Sequence, residues 1–475
     1  MSAQHPLSIV VIGAGMTGLI TAVLLARDGH QVTVLDRDKA EPPPAPEMAW
    51  HAWTRPGVSQ FRQPHLMLPR WYQEMSREVP ELLVGLVQEG AAQVNTVHLQ
   101  PDSVTHGWQP GDEQFDTVTA RRPVLEAALS QLATVQAGLT VRRGSKVTGL
   151  LSASRGDVPH VVGVQTSTTE LIADLVVDAA GRRTPVPGWV RAWGGPAPVE
   201  TRSQGGFVYY SRHYRTAGGR TPVGPGPILS HLPSMSVVAF PSDLGSRAIV
   251  LAVSAQDRPL RILREPRAWL AAVGCSPVAA HWIAQGEAIT GVTPMAGIDD
   301  VQRSYLRAGH PVITGLVAVG DACATTDPSL GRGATLGLLQ ACTLRDVLSA
   351  APRDPREQIH RFAEASAQRV APWMELTLQF TRHRLAEMND DIAGSPYQTD
   401  DPTWPMSTAL ACGADHDPVL TRAYGRIGGL LAAPPDVFAD PLTQQRLAPY
   451  VHGPRYSPSG PTRADLLNAT GQESP

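Results

Sequence analysis

Residues 8–18 read SIVVIGAGMTG, and this stretch constrains the fold of the 475-residue chain more tightly than its composition does. A β-branched run from Ile9 to Ile12 meets Gly13, Gly15 and Gly18, and the helical pattern LITAVLLARDG follows at once. HQVTVLD then reads as a second buried strand, ending in Asp36. A strand, glycine turn, helix and strand, with an acid about 20 residues beyond the turn, is the pattern that cradles a dinucleotide. Gly13 permits the tight turn, Gly15 admits the backbone to a pyrophosphate, and Gly18 lets helix and strand pack closely. The helix start offers unpaired N–H groups and partial positive charge to that phosphate. Asp36 is placed to accept from an adenosine ribose. An acid there disfavours a 2′-phosphate, so FAD or NAD fits better than NADP.

A second glycine-rich stretch decides between those two. Residues 318–339 read AVGDACATTDPSLGRGATLGLL: a strand-like run, Gly320–Asp321, Pro328, then Gly331, Gly333 and Gly337 leading into an apolar helix. It resembles the second flavin fingerprint of the FAD-dependent monooxygenases built like para-hydroxybenzoate hydroxylase. The resemblance implies that Asp321 holds the ribityl chain of FAD, with Gly320 and Pro328 completing the seat. It also implies that amides from Gly331 to Ala334, Gly333 among them, face the pyrimidine end of the ring and stabilise its reduced anion. The glycines are then explained by close approach of the ring, which a Cβ would obstruct.

Further segments agree. RRPVLEAAL (121–129) resembles the family's Arg-x-x-Leu-Glu helix start, which implies Arg122 beside the ribityl–pyrophosphate region, with Arg121 as the alternative. DLVVDAAGRR (174–183) resembles the middle fingerprint, with Ala180 where many hydroxylases carry Asp. That departure weakens the case for self-contained NAD(P)H use, and Asp178 with Arg182 reads equally as a solvated turn. TRPGVSQFRQPHLMLPR (54–70) matches an Arg-bearing loop near the pyrophosphate, which points to Arg62. Thr17, Arg37 and Val147 complete the implied cofactor set. His65 is the one candidate for a catalytic role, against the plainer reading of a histidine tied to backbone in a turn.

From about 199 to 256, GGFVYYSRHYR, PILSHLPSMSVVAFPSD and SRAIVLAVSAQD read as three strands of an antiparallel sheet that walls a substrate cavity. Alternation puts Tyr210 and Tyr214 on one face and Tyr209 and His213 on the other. Tyr210 and Tyr214 are the substrate-binding candidates, against an ordinary aromatic ladder. The segment after Pro294 reads as a short linker, the chain beyond 351 as helices that close the site, and the last twenty residues as a fraying end. The expected fold is α/β: a Rossmann-like FAD-binding domain with an inserted antiparallel-sheet substrate domain and a helical C-terminal region. Its expected parts are 1–55, 100–190 and 295–350 for the FAD-binding domain, 56–99 for a mobile loop and inserted helices, 191–294 for the substrate domain and 351–475 for the helical region.

A formal net charge of −3 with 42% hydrophobic residues gives no reason to expect a nucleic-acid partner. There is no apolar run long enough for a transmembrane helix and no basic leader at the N-terminus, so a cytoplasmic protein is expected. Cys275, Cys323, Cys342 and Cys412 form no CxxC pair, which predicts buried free thiols and no metal site. The resemblance implies an FAD-dependent monooxygenase that hydroxylates or epoxidises a hydrophobic or aromatic small molecule through a flavin hydroperoxide, in a setting such as secondary metabolism. O2 is then the co-substrate, and electrons come from NAD(P)H or a partner flavin reductase. The alternatives are a double-bond reductase like geranylgeranyl reductase, a halogenase, and a flavin-binding protein without turnover. WHAW (50–53) has the wrong tryptophan spacing for a halogenase, and Lys39 and Lys146 are the only lysines.

Overall fold

A computed structural model describes residues 6–472 apart from 156–157, 194–196, 204, 217–225, 285, 352 and 457–459. The N-terminal pattern folds as β1 (Ser8–Ile12), α1 (Met16–Arg27) and β2 (Gln31–Asp36). These strands pair in parallel, Ser8 opposite Gln31 and Ile12 opposite Leu35. β1 is the middle of a five-stranded parallel sheet in the order Leu316–Ala318, Leu175–Asp178, β1, β2, Leu139–Arg143. Parallel sheets are buried on both faces, and the alternation within β1 shows how. Ile9 and Val11 join the core formed with α1, the helix Arg122–Val135 and the helix Gly333–Ala350. Val10 and Ile12 point the other way, to Val147, Val161, Val186 and Val190 of an antiparallel hairpin and a short helix.

The glycines of the first turn separate by task. Gly13 has φ +105°, and a Cβ there would lie 2.6 Å from the carbonyl oxygen of Ala179. A Cβ on Gly18 would lie 2.0 Å from the carbonyl oxygen of Gly13. Two glycines of the later stretch serve a different purpose from the one the sequence suggested. Cβ atoms on Gly320 and Gly337 would lie 2.8 and 2.4 Å from Thr17 Oγ1. They let the helix Gly333–Ala350 and the turn before it close on α1, so neither is explained by approach of a cofactor ring.

A second sheet, antiparallel, runs Leu229–His231, Met235–Pro241, Ser246–Ser254, Phe207–Arg215 and Glu287–Ala288, with Thr293–Ala296 also on Phe207–Arg215. The middle one of the three expected runs is thus two strands, joined by a tight turn at 232–234. One face packs Tyr210, Tyr214, Val237 and Leu251 against Trp269 and Trp282 of the helices Pro266–Gly274 and Pro277–Ala284. The stretch after Pro294 is not a linker: Asp300–Ser304 pairs antiparallel with both Val199–Ser203 and Ala324–Thr325. Helices dominate beyond residue 354, the longest being Ala371–Ile392. The tail expected to fray instead forms the helix Arg463–Ala469, capped by Thr462, with Leu466 and Leu467 buried under the second sheet's helical layer. Residues 457–459 and 473–475 of that tail lie outside the described residues. Among the described residues, no helix is long and apolar enough to cross a membrane. Cys342 and Cys412 are buried, whereas Cys275 and Cys323 are only half-buried.

Candidate active site

The carboxyl ends of the parallel strands open into a cavity of about 500 Å³, where open α/β sheets place their ligands. At one end lie the turn Gly13–Gly18, Asp36, Arg37 and Val147. In the middle stand Arg122, His65, Asp321, Pro328 and the segment Gly331–Ala334. The second sheet lends the cavity an apolar wall of Leu229, Val238, Phe240, Val250 and Met295, and the helix Pro418–Gly428 adds Tyr424 and Gly425.

The first end is built to take an anion. The first intrahelical bond of α1 runs from Leu19 N–H to Gly15 O, 2.9 Å, so the amides of Met16, Thr17 and Gly18 precede the ladder. A Cβ on Gly15 would meet no protein atom within 4 Å. The space there belongs to the cavity. The same arrangement recurs at the second fingerprint, where Leu336 N–H is the first to bond back, to Arg332 O. Gly331, at φ +65°, turns the chain into that helix.

Between the two helix starts runs a chain of buried charges. Asp36 accepts from the amides of Ala14 (2.9 Å) and Asp38 (2.8 Å) and is ion-paired with Arg55. Arg55 also reaches Glu126 and donates to the carbonyl of Ala14 at 2.7 Å. Glu126 in turn accepts from Arg122 Nε at 2.7 Å. Burial opposes the charge on Arg55, but Glu126 and Asp36 outweigh it and hold the guanidinium above its ordinary value. Burial would raise Glu126, and Arg122 and Arg55 override that and keep it below the usual carboxylate range. The sequence reading assigned Arg55 no role, because no spacing rule ties it to the acids it neutralises. Asp36 thus presents to the cavity a carboxylate already shared with an arginine.

His65 stands half-buried on the cavity wall. Its Nδ1 lies 2.9 Å from the carbonyl of Gln63 and its Nε2 2.9 Å from Arg122 Nη1. A carbonyl only accepts and a guanidinium only donates, so Nδ1 carries the proton and the ring is neutral. Burial, reinforced by Arg122, pushes its pKa down to about 3. A histidine lowered from about 6.5 to about 3 binds fewer protons folded than unfolded between those values. Its contribution is intact above pH 6.5 and is lost as pH falls toward 3. Accordingly, in urea titrations from pH 7 to 5, wild type is expected to lose stability relative to His65→Gln by roughly 2 kcal/mol. Parallel loss in both proteins would contradict a neutral ring.

Asp321 is half-buried beside the start of the helix Gly333–Ala350; desolvation raises its pKa, against the opposing influence of Arg122 and Arg182. Asp178 is no solvated turn. It is fully buried at the end of its strand, accepts from Ala180 N–H (3.0 Å) and Thr184 Oγ1 (2.7 Å), and is pushed by burial up to about 6. Arg182 does reach the cavity wall, donating to Ser59 Oγ at 3.1 Å.

Several expected site residues stand elsewhere. Arg62 does not line the cavity: it donates to the carbonyl of Trp53 at 2.8 Å and covers the ring of Trp50. Arg121, the alternative to Arg122, is turned to Asp243, in the turn between two strands of the second sheet, and grips it with Nε and Nη2. Gly320 lies behind the wall against Thr17. Tyr210 and Tyr214 were assigned the wrong face, since theirs packs on helices. Tyr209, one residue out of phase, lines the cavity with its hydroxyl on Asp327 and Ser329 (2.9 Å). Strand alternation gave the two sets correctly but carried no sign of which face the helices cover.

A parallel sheet with this glycine turn and this second helix start defines the class of FAD-dependent oxidoreductases. Residues 8–102 match the family model described as FAD dependent oxidoreductase. The chain belongs to the family of Protein Rv3254 of Mycobacterium tuberculosis, with 31% identity over 364 residues, 72% of this chain and 73% of that protein. Among solved structures it is similar to PqsL, a probable FAD-dependent monooxygenase from Pseudomonas aeruginosa (16% identity, 81% of this chain and 100% of that chain, TM-score 0.58). It is also similar to the flavin-dependent brominase Bmp2 (14% identity, 94% and 99%, TM-score 0.62) and to a flavoprotein/dehydrogenase from Cytophaga hutchinsonii (16% identity, 94% and 98%, TM-score 0.59). Likeness at these identities establishes a shared fold.

Proposed function

We propose that the protein is an FAD-dependent monooxygenase that hydroxylates or epoxidises a hydrophobic or aromatic small molecule. The observation that carries this reading is the continuity of one cavity from the glycine turn of β1–α1, past Asp321, to an apolar wall on the second sheet. FAD bound there would supply two-electron transfer and, when reduced, reaction with O2. The residues present fit it. Gly13, Gly15, Thr17 and Gly18 would receive the pyrophosphate, Asp36 with Arg55 the adenosine ribose, and Arg37 and Val147 would flank the adenine end. Asp321 and Arg122 would hold the ribityl region, while Pro328, Gly331, Gly333 and Ala334 would bring the second helix start to the ring. Unladdered amides at that start favour negative charge on the ring. The apolar wall excludes water from the reacting face and holds the substrate. His65, neutral and engaged at both nitrogens, serves here to orient Arg122. Electrons would come from NAD(P)H or a reductase partner. That PqsL has been solved with 2-aminobenzoylacetate supports a small-molecule substrate in this fold.

The test is stopped-flow reoxidation of the photoreduced protein by O2, with NADH and NADPH reduction measured beside it. Prompt reoxidation is expected. A flavin that stays reduced in air-saturated buffer would overturn the monooxygenase and favour the double-bond reductase.

A further inference from the structure

The helix Gly333–Ala350 begins beside a buried cation that no acid among the described residues answers. Arg332 is 4% exposed and forms part of the cavity wall. Its Nη1 donates to the carbonyl of Trp373 (3.2 Å) and to Thr377 Oγ1 (2.8 Å). Its Nε is enclosed without a hydrogen-bond partner, and Nη2 makes no hydrogen bond to the described residues. The other buried arginines set the contrast. Arg55, Arg121, Arg122, Arg303 and Arg384 each hold a carboxylate. Arg247 also lacks one, but it lies away from the cavity, on the carbonyl of Trp282.

The surroundings make the missing partner costly. Leu336 and Met374, one turn from Arg332 and from Thr377, belong to an apolar cluster with Leu68 and Leu430. An unmatched guanidinium in such a setting is strongly unfavourable. Burial lowers its pKa only to about 10, so it stays charged at neutral pH. Of the two unengaged nitrogens Nε is enclosed, which leaves Nη2 to a ligand in the cavity. An N–H of that nitrogen can donate a charge-assisted hydrogen bond to a carboxylate oxygen.

We propose that Arg332 binds the carboxylate of the substrate through Nη2, so that the site takes a largely apolar organic acid. The apolar wall of Leu229, Val238, Phe240 and Val250 then receives the body of the molecule. The inference rests on the reading of this cavity as a joint flavin and substrate site.

The experiment compares acids with their neutral isosteres. The FAD-loaded protein is titrated with 4-phenylbutyrate and decanoate and with the matching primary amides, and binding is followed by calorimetry and by flavin absorbance. In wild type the acids are expected to bind roughly tenfold to a hundredfold tighter than the amides, the scale of charge-assisted hydrogen bonds. In Arg332→Gln that preference is expected to fall to about twofold or less with FAD content unchanged, and Arg332→Lys is expected to restore part of it. Equal affinity of acid and amide in wild type, or binding of neither, overturns the proposal without any variant. So does a preference that survives in Arg332→Gln. A third overturning result is a changed flavin midpoint potential in Arg332→Gln with the acid preference intact, which would assign the guanidinium to the reduced flavin. Oxygen reactivity plays no part in these readouts, so the monooxygenase reading can fail while this one holds.

Discussion

A Gly15→Val protein is expected to fold and to emerge from purification without FAD. The backbone at Gly15 is extended (φ −80°, ψ 179°), a conformation valine adopts freely. A Cβ there meets no protein atom within 4 Å, so the folded chain has no objection to the new side chain. What the side chain does occupy is the approach to the amides of Met16, Thr17 and Gly18. Loss of two charge-assisted contacts would weaken FAD binding by roughly a hundredfold or more. Gly18→Val provides the opposite case. Its Cβ would stand 2.0 Å from the Gly13 carbonyl oxygen, a backbone atom that no rotamer change can move. That variant is expected to be insoluble or unfolded. Circular dichroism and the ratio of flavin to protein separate the two outcomes. Stoichiometric FAD on folded Gly15→Val would mean that the phosphate does not lie at this turn.

Arg55→Met is expected to be the most destabilising single change in the buried charge chain, at about 3–5 kcal/mol. Removing the guanidinium leaves Asp36 without its close cationic partner, the next being Arg143 at 3.9 Å. Glu126 keeps Arg122, and Asp38 is held less closely by Arg55, at 3.5 Å, so the damage concentrates on Asp36. Neutralising that acid should therefore restore much of the loss, and Arg55→Met/Asp36→Asn is expected to regain about half. Denaturant unfolding of the FAD-free proteins measures both. If the double variant is no better than the single one, the cost comes from lost packing on Trp53, which Arg55 also covers.

Legibility in the sequence followed the range of the interactions. The β1–α1–β2 unit was readable because its tasks fall on neighbouring residues: a φ of +105° at Gly13, a helix start, an acid at the end of β2. The second fingerprint was readable in outline, yet Gly320 and Gly337 were misassigned. A glycine that makes room for Thr17, 303 or 320 residues away in the chain, looks the same in sequence as one that makes room for a ligand. Arg55, which bridges Asp36 and Glu126, had no local signature. Tyr209 and Tyr210 show the same limit from another side. Period-two alternation fixed which tyrosines share a face, but only the placement of Trp269 and its helix decides which face is packed shut.

The order of strands in the parallel sheet bears on how the protein is made. Its strands are taken from residues 8–12, 31–36, 139–143, 175–178 and 316–318, and the last of these borders the second helix start. A chain leaving the ribosome can form β1, α1 and β2 early, because their contacts are local. The seat proposed for the isoalloxazine end cannot exist until residue 333 and the helix behind it have emerged. Cofactor loading is therefore a late event in biosynthesis, and the half-built sheet must wait with an open edge while most of the polypeptide is translated.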